Sequence, residues 1–218
     1  MSLNLGYLAA FVGATIVLVG MPGPNILYIC TQSVAHGRRV GLLCALGVET
    51  GTFVYALATA LGLVAVVAAS PVAYSAITYL GVGYLVLLGI RTLRSHGSGG
   101  VAASSSSLRR AYREGVLVNL FNPKVALFFM AFLPQFTRPG ASVTELRGQL
   151  VALGAGVFVI ALLIDITYAL AASAAGDRFR SRRTDQSSRD GRRSRMAVAG
   201  IYFALAAVAG VGGVLRVA

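Results

Sequence analysis

The sequence predicts an all-α polytopic membrane protein: six transmembrane helices forming a 3+3 inverted repeat, with helices 1 and 4 broken. Three observations carry this expectation. First, 56% of the 218 residues are hydrophobic and only 12% are charged, with a mean hydropathy of +0.76, well outside the habit of soluble domains. Second, apolar runs of about 20 residues recur, the length a hydrocarbon core of roughly 30 Å demands of a helix. Third, the arginines are clustered in connecting stretches and sorted between alternate ones.

The first span covers about residues 5–33 and is interrupted by Pro22-Gly23-Pro24-Asn25. Met1 to Gly20 lacks a basic leading region, so it reads as a retained span and not as a cleaved signal. The second span, about 40–69, carries Glu49; the third runs from about 72 to 90. Residues 94–113 read as a flexible cytoplasmic loop, because SHGSGG and SSSS have linker composition. The fourth span, Gly115 to Phe136, holds Asn122-Pro123-Lys124 in its middle, a helix breaker followed by the only lysine of the chain. The fifth, about 148–175, carries Asp165; a Ser- and Arg-rich loop over 177–195 leads to a sixth at about 196–214. Residues 1–93 and 114–218 would thus be two three-helix repeats, each opening on a Pro-broken helix followed by an acid-bearing one. Three spans per repeat turns the second upside down relative to the first, as in many secondary transporters.

Alternating loops place fifteen arginines on one side and three, Arg138, Arg147 and Arg216, on the other. The positive-inside rule assigns the rich side to the cytoplasm and both termini to the outside. The same sorting accounts for the net charge of +12, and interleaved aromatics on a basic patch are missing, so nucleic acid is not expected as a partner. Cys30 and Cys44 fall in or beside apolar helices and suggest neither a disulfide framework nor metal ligands.

Depth draws the polar residues together. Asn25, Glu49, Lys124 and Asp165 each lie about ten residues from a span end, which at about 1.5 Å per residue is about 15 Å deep, near the midplane. A lysine there costs roughly 3 kcal/mol unless answered. Lys124 can neutralise Glu49 or Asp165, leaving one carboxylate over as a candidate proton carrier; which acid that is stays open. Helix ends exposed at Pro22, Gly23 and Pro24 and at Asn122 and Pro123 suit a ligand carboxylate. The candidate substrate-binding residues are therefore Pro22, Gly23, Pro24, Asn25, Glu49, Asn122, Pro123, Lys124 and Asp165, with Glu49 and Asp165 as candidates for proton coupling. Each feature also has a plainer reading. The prolines can be simple kinks, the charges a structural pair, and Tyr28, Tyr55 and Tyr168 packing residues or interface anchors. Gly41, Gly47, Gly51, Gly81 and Gly83 suit close helix packing.

Pro22-Gly23-Pro24-Asn25, the Gly37, Gly41 and Gly47 series leading to Glu49, Arg113-Glu114-Gly115 before Asn119-Leu120-Phe121-Asn122-Pro123-Lys124, and the tail FFMAFLPQF together resemble the lysine exporter (LysE-type) family, more narrowly its homoserine/threonine-resistance branch. The resemblance implies an inner-membrane exporter of amino acids driven by the proton gradient, with no cofactor. Protons, a small amino acid and the bilayer would be its partners, and homo-oligomerisation is left open. A neutral substrate of the homoserine, threonine or leucine kind fits one surplus negative charge. Export of another solute or a cation is the alternative, although Lys124 would repel a metal and no His or Cys cluster assists. An enzyme is not expected, since both histidines fall in loops and no nucleophile–base or HExxH pattern occurs. A GxxxxGK[ST] phosphate loop is also missing, which speaks against an ATP-driven pump.

Overall fold

The computed structural model describes residues 5–62, 70–94 and 105–181, and beyond these only 196, 199, 200, 203, 204 and 207. All regular structure among the described residues is helical. Helix α1 (Leu5–Gly20) is apolar throughout and stops at Met21-Pro22-Gly23. Pro24 then opens α2 (Pro24–His36) at its first position, where a missing N–H costs nothing. Gly37 joins α2 to α3 (Arg38–Ala60) with φ +84°, a conformation other residues adopt only at a cost, so the chain reverses within one residue. Helix α4 (Pro71–Arg94) follows.

Helix α5 (Ser105–Leu120) breaks at Phe121-Asn122, and α6 (Pro123–Leu127) restarts with proline at its first position. It runs on through a π-helical turn (Phe128–Phe132) into a 3-10 turn (Leu133–Phe136). Helix α7 (Val143–Ser181) is 39 residues long, about 58 Å, so it extends beyond a core of about 30 Å. Ser142 and Glu145 exchange hydrogen bonds at its start as a capping box.

Two of these helices, α3 and α7, are each long and apolar enough to cross a membrane. The α1–α2 pair, bent by 55°, and the α5–α6 pair, bent by 49°, pass the same test when each is taken as one span. Both bends fall at the proline interruptions expected from the sequence. One expectation needs correcting. The proposed loop over 94–113 is helical from Ser105 onward, because Ala111 is a buried packing residue and Arg110 pairs with Glu114 one turn later at 2.8 Å. The loop's remaining residues 95–104, the arginine-rich residues 182–195 and most of the sixth span lie outside the described residues.

Helix α3 is the centre of the packing, lying against α2, α5 and α7. Its approach to α5 is set by small residues. A methyl on Gly47 would collide with the Tyr112 carbonyl, and one on Gly115 would lie 2.7 Å from the Cys44 carbonyl. The two backbones therefore touch, and this seam is what brings the acid on α3 up to the break after α5. An apolar cluster around Tyr28, Ile29, Val48 and Val118 lies on one side of that level, and a second around Phe11, Phe129, Leu133 and Val157 on the other.

Candidate binding chamber between the two broken helices

A cavity of ≈ 530 Å³ opens where the two breaks meet α3 and α7, within the usual size range for small-molecule sites. Asn25, Glu49, Asn122, Lys124 and Asp165 all line it, with Gly23 and Pro123. Pro22 and Pro24 flank the first bend without lining the cavity; they shape it and do not face it.

Each polar residue reaches the cavity for a local reason. Glu49 and Asp165 project from unbroken helices, are 2% and 3% exposed, and lie in electrostatic contact with each other. Among the described residues Glu49 Oε2 has no hydrogen-bond partner, a costly state for a buried oxygen that a proton, water or ligand would relieve. Asn122 caps α6, its side-chain oxygen accepting from the Lys124 backbone N–H at 3.0 Å. Its amide donates to Asn25 Oδ1 at 2.8 Å, so the two breaks are bonded directly to each other.

Lys124 differs from the sequence expectation. It makes no salt bridge with either acid among the described residues. Its ammonium donates instead to the Met21 carbonyl at 2.7 Å, at the open end of α1, while Asp165 lies within its electrostatic reach. That carbonyl is available because the helix stops there, so the break in α1 supplies the partner that a carboxylate was expected to be.

The remaining wall is apolar: Leu18, Val19, Ile26, Leu127, Phe128, Phe129, Phe132, Val157 and Ala161. Three of these phenylalanines come from the π-helical turn or its edge, and such turns recur at functional sites. Sequence reasoning quoted this stretch without assigning it a wall, and no periodicity announces a π turn. It also missed Thr52, which lines the cavity and accepts from Asn119 at 3.1 Å. Tyr28, Tyr55 and Tyr168 do not line the cavity. Their hydroxyls donate to the carbonyls of Ala111 at 2.9 Å, Leu120 at 2.8 Å and Gly20 at 3.1 Å respectively.

No group of three or more His, Cys, Asp or Glu residues among those described is placed to hold a metal ion. The arrangement can hold a molecule bearing charges of both signs and an apolar part.

Comparison with known proteins bears on the family of the chain. The chain is 33% identical over 147 residues to a leucine efflux protein of Enterobacter sp., covering 64% of this chain and 67% of that one. It is 29% identical over 165 residues to a leucine efflux protein of Klebsiella pneumoniae, covering 74% and 73%. An uncharacterized membrane protein of Pseudomonas aeruginosa is 30% identical over 167 residues, covering 73% of each chain. No solved structure matches. Residues 16–211 match the family described as the LysE type translocator, and the chain belongs to that family of multi-pass membrane transporters, which are not enzymes.

Proposed function

We propose that this chain exports a neutral amino acid with a small or aliphatic side chain, of the homoserine, threonine or leucine kind, in exchange for inward-moving protons. The observation that carries the reading is one cavity lined by an ammonium, two carboxyl groups and many apolar side chains. The substrate carboxylate would bind at the first turn of α2, where Asn25 and Ile26 border the cavity and no side chain caps the helix, with Lys124 beside it. The substrate ammonium would face Glu49 and Asp165, and the side chain the phenylalanines. Three relatives bear the name leucine efflux protein, which supports an aliphatic substrate.

Two carboxyl groups in contact, with Lys124 the one cation near them among the described residues, repel when both are ionised in a low dielectric. A proton on one of them removes the repulsion, and the arriving substrate ammonium competes with that proton for the same place. This competition is the proposed coupling. The proposal includes a bacterial inner membrane with both termini outside, which the arginine sorting supports. The inverted 3+3 repeat is part of the same proposal, supported by the matching bends of 55° and 49°.

Counterflow in proteoliposomes with labelled amino acids, with and without an imposed pH gradient, tests the reading. Exchange of leucine or threonine that accelerates under the gradient is expected. Exchange indifferent to the gradient removes proton coupling. No exchange of any amino acid favours the second reading, export of a cation or another solute, for which the two adjoining acids speak.

A further inference from the structure

Breaking a helix leaves carbonyls without donors, and in this protein each of three such carbonyls is met by a side chain from another element. The Gly20 carbonyl would accept from residue 24, but Pro24 has no N–H, and the Tyr168 hydroxyl of α7 donates to it at 3.1 Å. The Leu120 carbonyl would accept from Lys124, whose N–H is taken by Asn122 Oδ1, and the Tyr55 hydroxyl of α3 donates to it at 2.8 Å. The Met21 carbonyl is met by Lys124. The arrangement is crossed: the first break is held from α7, which carries Asp165, and the second from α3, which carries Glu49. Tyr168 lies one turn beyond Asp165, and Tyr55 less than two turns beyond Glu49. Tyr55 also stacks on Phe129 of the cavity wall, ring centroids 5.7 Å apart and planes 16° from parallel.

We propose that Tyr168 and Tyr55 are paired positioning residues, each fixing one broken helix at the distance from its acid at which the chamber binds substrate. This rests on the transport reading above. Neither hydroxyl touches the substrate. Each transmits the position of an acid-bearing helix to the helix end opposite, so each break is held independently at its own distance from an acid.

The test uses Tyr168→Phe and Tyr55→Phe, which keep the rings, with Tyr28→Phe as the control. Tyr28 makes a like bond at 2.9 Å, but to the Ala111 carbonyl inside the unbroken part of α5 and not to a carbonyl left open by a break. In hydrogen–deuterium exchange, Tyr168→Phe should speed exchange about tenfold at residues 21–27 and leave 121–127 unchanged. Tyr55→Phe should do the reverse, and Tyr28→Phe neither. In counterflow, both break variants should raise KM about tenfold with the control unaffected. Exchange unaltered at the breaks, or raised equally throughout the protein, overturns the proposal, as does an unchanged KM in a transporting protein. Should the wild type move no amino acid, the transport reading fails by itself and the exchange pattern alone decides the positioning role.

Discussion

The two broken helices look alike in sequence and differ in how they are closed. The second is largely self-sufficient: Asn122 caps α6 from within the same segment, and the interruption spans two residues. The first has glycine at the cap, no side-chain oxygen to offer, and a longer interruption at Met21-Pro22-Gly23. Its open end borrows an ammonium from Lys124 and a hydroxyl from Tyr168. A closed break is a rigid wall, whereas an open one is where a ligand can add what the chain leaves out. On the proposed reading, the asymmetry favours the first break for the substrate carboxylate and leaves the second to present Lys124.

Five substitutions probe that division, beginning with the largest effect. Lys124→Ala and Asp165→Asn should each lower counterflow by more than about a hundredfold, while the protein still inserts and elutes as a single species in detergent. Loss of the folded protein in both would mean that the charges serve structure alone. Next, Asn122→Ala should cost about 1–2 kcal/mol in thermal unfolding, because it removes both the cap and the bond to Asn25. Asn25→Ala removes one bond and should cost less stability while raising KM more, since Asn25 belongs to the open break. Equal effects would erase the proposed difference between the two. The smallest effect belongs outside both breaks: Ser142→Ala removes the cap of α7 and should cost about 1 kcal/mol with KM unaltered.

Much of this was legible from the chain. Prolines inside apolar runs give away both breaks, because no helix closes its ladder across them. Equal depth gathers Asn25, Glu49, Lys124 and Asp165, since distance along a helix converts directly into height. Less accessible was direction around each helix, which depends on packing. Lys124 was expected to meet a carboxylate, but the nearer acceptor is a backbone carbonyl created by the break in another helix, and no residue type marks it. The tyrosines were ambiguous for the same reason, because their partners are carbonyls. Ser105 to Arg113 read as linker by composition, yet Ala111 and the Arg110–Glu114 pair hold it helical through contacts that composition does not register.

The central claim is that an amino acid occupies the space between the breaks. Equilibrium binding of labelled leucine to the purified protein, compared with Ala161→Phe, tests it most directly, because Ala161 lines the cavity and the larger ring would fill it. The wild type should bind leucine saturably, and the folded Ala161→Phe variant should bind none. Binding of equal affinity in both would place the substrate elsewhere and contradict it.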